Sequence, residues 1–266
     1  MKLFSKILGV LVAASLLSMP AQAVTHEEAT IDQSLIVLRD LQAISDSRIP
    51  DLLLARAEGI VILPANVKVG LMFGASFGSG VMLVRNPDRS WSNPVFVKTG
   101  GGSWGLQAGG QVSDIVLVLT TRESIEGITD GKLTLGADAS AAAGPVGRTA
   151  SASTDLTFDA EVYSYAKSQG LFLGISLDGN AILISKKANK SFYEGDSSAS
   201  AILASKVAPP APAPELVAEV TKMTTSASAS VASDDPAKQA QPAAPATEAK
   251  TYPLPDPEPG KEPGTN

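Results

Sequence analysis

Nineteen of the chain's 23 glycines fall between Gly59 and Gly179, inside a stretch whose apolar residues recur at every second position. A period of two marks strands, and glycine on a strand strips one face of side chains, so a sheet can bend sharply there or admit a neighbouring backbone, ring or ligand. The β-rich runs are Gly59–Leu63, Val67–Phe77, Gly80–Arg85, Pro94–Lys98, Trp104–Gln111, Ile115–Leu119, Lys132–Ala141, Arg148–Leu156, Leu171–Leu177 and Ala181–Ser185. Asn86-Pro87-Asp88 and Asp178-Gly179-Asn180 predict two hairpin turns. Closely spaced strands with short turns predict a curled, mainly antiparallel, barrel-like sheet, with most glycines serving its bends.

Ahead of the sheet the period is 3.6. Thr25 with Glu28 resembles a capping box, and Ile31, Leu35, Leu38, Leu41 and Ile44 recur at helical spacing among charged residues. Pro50 suits the first turn of a second helix, Leu52 to Glu58, ended by Gly59. Short helices are expected at Arg122 to Gly127 and at Ala160 to Lys167. The fold class is therefore α+β: a curled, Gly-rich sheet with an N-terminal helical pair and short helices packed on it.

The two ends differ from this middle. Residues 1–23 combine Lys2 and Lys6, an apolar run from Ile7 to Leu17, and Ala21-Gln22-Ala23, the layout of a secretory signal peptide; the run is too short to span a bilayer. Residues 207–266 hold 12 of the 18 prolines and one aromatic, Tyr252, a composition that favours a disordered Pro/Ala-rich tail with at most a transient helix near Leu216 to Met223. The expected division is 1–23 signal peptide, 24–206 folded domain, 207–266 tail, which places the protein in the periplasm or cell envelope.

Chemistry is restricted by what is missing. With no Cys and only His26, thiolate metal sites, multi-histidine cages and cysteine nucleophiles are excluded. A net charge of −6 argues against nucleic-acid binding. Gly74-Ala75-Ser76-Phe77-Gly78 and Gly101-Gly102-Ser103-Trp104-Gly105 match the serine-hydrolase elbow, but no His follows either one. Gly127 to Lys132 is one residue short of a phosphate loop, and Asp114, Asp138, Asp155 and Asp159 match neither an acid–base nor a calcium template. No cofactor, metal or catalytic residue is expected. Trp91 and Trp104 are candidates for a ligand-facing position, because indole joins an apolar body to a polar edge; core packing is the ordinary alternative.

Several segments carry a family resemblance. Leu52 to Pro64, the Gly/Phe-rich stretch to Gly80, and Val81-Met82-Leu83-Val84-Arg85 are joined in order by Trp91-Ser92-Asn93-Pro94, Gly105 to Gly109, Asp114 to Leu119, Ala143 to Arg148, Tyr163-Ser164-Tyr165 and Gly170 to Gly174. From about Ile31 to Leu203 the chain resembles the SYLF-domain family, found in yeast, animals, plants and bacteria. The resemblance implies a non-enzymatic module for membrane lipid, whose contact is attributed to an N-terminal amphipathic helix with nearby basic residues. It associates eukaryotic members with phosphoinositides and yeast members with actin, and it makes this chain an exported bacterial member.

Here the sequence departs from that pattern. Between Val24 and Arg48, five acids (Glu27, Glu28, Asp32, Asp40, Asp46) face two bases (Arg39, Arg48), the wrong sign for a headgroup clamp. Phosphoinositide and actin binding are not carried over. The expected function is binding of phospholipid or another amphiphile, as a peripheral membrane contact, through Ile31, Leu35, Leu38 and Leu41 with Trp91 and Trp104. The same helix face could instead simply cover the sheet. The alternative function is an interaction protein that docks on an envelope partner, with the tail as spacer.

Overall fold

Thr25 opens the first helix with the expected reciprocal cap. The Glu28 N–H donates to Thr25 Oγ1 at 3.1 Å, and the Thr25 N–H donates to the Glu28 carboxylate at 2.7 Å. The computed structural model describes residues 24–43, 48–70, 73–104, 109–146, 159–168 and 171–233. Within them, helices α1 (His26–Ala43) and α2 (Asp51–Arg56) precede the sheet, as the 3.6 period predicts. The expected signal peptide and the strand predicted at Arg148–Leu156 lie outside the described residues.

Strands β1 (Gly59–Gly70), β2 (Phe73–Val84), β3 (Val95–Trp104) and β4 (Gly109–Leu119) are followed by helix α3 (Arg122–Asp130). Then come β5 (Leu133–Thr134), β6 (Ala141–Ala143), β7 (Val162–Ser168), β8 (Leu171–Gly174) and β9 (Asn180–Ile184). Helices α4 (Lys186–Phe192), α5 (Ala199–Leu203) and α6 (Ala213–Ser233) complete the described chain. The nine strands form one sheet in the order β5-β9-β3-β2-β1-β4-β7-β6, with β8 also on β7. Every pairing is antiparallel except β6 with β7. The α+β class and the curled, mainly antiparallel sheet are as expected.

Apolar runs such as Ile60–Leu63 and Ile115–Leu119 are buried throughout because the sheet is covered on both faces at that end. Ile60, Ile62, Val81, Leu83, Val116 and Val118 pack in one cluster with α1, α2 and α6. Val61, Leu63, Met82, Ile115 and Leu117 point the other way, into a second cluster with Ile125 and Ile128 of α3.

The bend between the two ends is local. Pro64 and Ala65 fall in a register shift that interrupts β1 against both neighbours, and Ala65 takes a φ of 52° while its N–H donates to Asp114 at 3.0 Å. Across from this bulge, a Cβ on Gly80 would lie 1.9 Å from the Ile62 carbonyl oxygen, so only glycine lets β2 close on the bend. Gly80→Ala is expected to lower stability by about 3 kcal/mol, seen as a fall in the urea midpoint without loss of expression.

Four expectations are corrected. The segment from Ala160 to Lys167 is not a helix; Val162–Ser168 is β7, held between β4 on one side and β6 and β8 on the other, where Val162, Tyr163 and Tyr165 alternate between the two cores. Asp178-Gly179-Asn180 does turn the chain, with Gly179 at φ 81°, but β8 and β9 do not pair. Their partners are β7 and β3. The run Val67–Phe77 is divided between β1 and β2, and Trp104–Gln111 between β3 and β4.

The fourth correction moves the domain boundary. Helix α6 lies in the segment assigned to the tail, yet Ala213, Leu216, Val220, Met223 and Ala227 are buried. These residues recur at three and four positions, an apolar stripe hidden within a Pro/Ala-rich composition. Arg39 donates to Glu215 at 2.6 Å and Gln42 to Glu219 at 3.1 Å, which ties α6 to α1. The packed unit therefore runs to Ser233 rather than stopping at 206.

Candidate functional site

The structure buries most of the residues expected to contact lipid. Ile31, Leu35, Leu38 and Leu41 are at most 4% exposed, because α1 is enclosed between the sheet and α6. Trp91 is buried too; its indole N–H donates to Thr224 Oγ1 of α6 at 3.0 Å, and the Arg85 guanidinium stacks 4.7 Å from the ring centre. Burial, and then neighbouring Arg89, lower the Arg85 pKa, while Glu58 opposes them. Of the named set, these five side chains are core in this structure and offer no open face. Trp104 ends β3, where only the backbone is described.

The surface left open lies at the other end of the sheet, beyond the Pro64–Ala65 bulge. Val112, Val67, Phe77, Gly100 and Ala181 are direct partners across β4, β1, β2, β3 and β9, so they share one face in a single row. The next row is Gly110, Val69, Ala75 and Gly102. Val69, Phe77 and Val112 are 42%, 52% and 64% exposed. Glycine and alanine make this a low surface from which Phe77 projects. Lys98 and Leu183 pair with each other on the same face, one step nearer the helices.

Where this face meets the start of α1, His26, Thr30, Gln33, Val67, Phe77 and Lys98 line a cleft of about 410 Å³. A smaller one of about 220 Å³ continues from it past Ser79 and Lys98 to Lys187 of α4. The site is thus an apolar platform with an aromatic and two lysines along one margin. This is the arrangement expected of a surface that meets an apolar phase with a polar boundary.

The alternatives raised by the sequence take other shapes. Ser76 lies within β2, one residue from Phe77, so it faces the opposite side of the sheet from the His26 cleft. It bonds Asn180 rather than an imidazole. The Gly127–Lys132 segment spans the end of α3, not the strand-to-helix turn that cradles phosphate. Asp114 caps the bulge and Asp138 accepts the Thr134 N–H at 2.7 Å, both turn roles. Among the described residues, no group of three or more His, Asp or Glu could hold a metal ion.

Sequence reasoning passed over Phe77, Val69, Val112 and Lys98. Their alternation is visible in the sequence, but which face stays uncovered depends on where α1 ends and on the register of five strands. Glycine density at 100, 102 and 110 was the available signal.

Comparison with known proteins places the chain. A family model described as Ysc84, Las17-binding protein actin regulator, matches residues 100–223. LAS seventeen-binding protein 3 of Saccharomyces cerevisiae is 36% identical over 169 residues, 62% of this chain and 37% of that protein. SH3 domain-containing YSC84-like protein 1 is 38% identical in Bos taurus and 37% in Homo sapiens over 172 residues, 64% of this chain and 50% of theirs. The chain spans half or less of the length of these relatives. The match to residue 223 also takes in the first half of α6.

A curled sheet with helices over both faces and one open apolar end makes this a domain of the α+β class. Over residues 100–223 the chain matches the SYLF (Ysc84) family, and it is similar to that family's members over about 170 residues.

Proposed function

We propose that this SYLF domain is exported and binds phospholipid or another amphiphile at the cell envelope, using the open end of its sheet and no covalent chemistry. The observation that carries this reading is the apolar row Val112–Val67–Phe77, uncovered at an end of the sheet whose other half is sealed on both faces. Such a surface is favourable only when water is removed from it. Phe77 would enter the acyl boundary, with Lys98 and Lys187 at headgroup level. These lysines supply the positive charge that α1 lacks, where Asp40 is held by Lys167. The signal-like residues 1–23 support export to a periplasm or envelope.

In flotation with neutral and anionic liposomes, the mature chain is expected to rise with the lipid. Phe77→Ser is expected to weaken that association about tenfold while leaving the melting temperature within a degree or two, because the ring is half exposed. Absence of co-flotation with every composition would remove the proposal.

A second reading, docking on an envelope protein with the segment after Ser233 as spacer, is favoured by the family's description as Las17-binding and by the name of the yeast relative, LAS seventeen-binding protein 3. A protein partner would use the same apolar row. The expectation that actin is not a partner gains no support from a family described as an actin regulator. It rests on the acidity of α1 alone.

A further inference from the structure

A separate cleft of about 330 Å³ opens between the end of α1, α2 and the second half of α6. It arises from a change of side-chain size along α6. Leu216, Val220 and Met223 fill the seam against the core, and the positions that follow on that side are Ala227 and Ser230, with Ser226 beside them. Its floor is apolar, from Leu41, Leu54, Met223 and Ala227, and methionine makes an adaptable wall. An unfilled cleft forfeits packing contacts that ordinary cores make.

At its mouth stand one base and one acid. Arg48 is exposed and has no ion-pair partner among the described residues, and Asp51 lies in the first turn of α2. The volume is at the small end of ligand pockets, enough for one chain and too small for two. Fifteen residues of helix separate Leu41 here from His26 at the sheet-end cleft, about 22 Å.

We infer that this cleft is a binding site for a single-chain zwitterionic amphiphile of the lysophospholipid type, its acyl chain between α2 and α6, its phosphate at Arg48 and its amine at Asp51. The site does not depend on the sheet-end reading. A purely anionic head would meet Asp51, and a purely cationic one Arg48; only a head carrying both charges satisfies both.

The test is calorimetric titration of the mature chain with dodecylphosphocholine below its micelle concentration, beside dodecyl phosphate and dodecyltrimethylammonium. Saturable one-site binding is expected, strongest for dodecylphosphocholine. Ser230→Leu fills the cleft and is expected to abolish it while keeping or raising the melting temperature; Ala227→Val serves as a second filling variant. Arg48→Gln is expected to weaken binding about tenfold. Phe77→Ser, at the far site, is expected to leave the titration unchanged. Absence of saturable binding, wild-type binding in both filling variants, a preference for either singly charged probe, or loss of binding in Phe77→Ser would overturn the assignment.

Discussion

Leu38→Ala is expected to destabilise the domain by about 3 kcal/mol, a large share of the total for a chain of this size. Leu38 is fully buried beneath α6 and against the sheet, so truncating it leaves a cavity that neighbours on two sides cannot both close. Chemical denaturation would show a lowered midpoint with an unchanged slope. The opposite assignment, in which this helix face meets lipid, predicts a variant as stable as the parent but deficient in flotation. The contrast with Phe77→Ser is therefore diagnostic: one position should change stability and the other association. A Leu38→Ala protein that melts like the parent would contradict the enclosed helix.

Ending the chain after residue 206 is expected to be more damaging still. Removing α6 uncovers Leu41, Leu54 and Trp91 together, and forfeits the burial of Leu216, Val220 and Met223. At roughly 1.5–3 kcal/mol for each large side chain the loss is on the order of 5–8 kcal/mol, comparable with the whole stability of a domain. The truncated protein should aggregate or bind a hydrophobic dye, whereas a chain ending after Ser233 should fold. Trp91 offers a direct readout. Its indole loses the Thr224 bond and the dry environment, so its emission should shift to longer wavelength in the shorter protein. An unshifted, soluble, cooperatively melting 24–206 fragment would show that α6 is an accessory.

Local pattern carried much of this fold. The Thr25/Glu28 cap, the helix from His26, the continuous runs around Ile60 and Ile115 and the Asn86-Pro87-Asp88 hairpin all follow from short-range chemistry. What failed depends on distant partners. Tyr163 and Tyr165 alternate like a strand, but the run is short enough to pass for a helical turn, and only pairing with Val116 and Val118 settles it. Helix α6 is concealed because alanine, serine and proline dominate its surroundings, and its stripe of Leu216, Val220 and Met223 gains meaning only against α1 and α2. The site follows the same rule. An amphipathic helix looks like a membrane surface until a second helix is found on it, and Phe77 looks like core until the row it shares with Val67 and Val112 proves to be uncovered.

The link between α1 and α6 also bears on timing. Arg39 meets Glu215 across 176 residues of chain, and Trp91 meets Thr224 across 133. Contacts so remote in sequence form slowly, since each requires a long loop to close. A nascent polypeptide lacks this clamp until residues 213–233 have been synthesised. A clasp supplied by a helix this late in the described chain leaves the earlier segments loose until it docks, so α6 is expected to be the element that locks the fold.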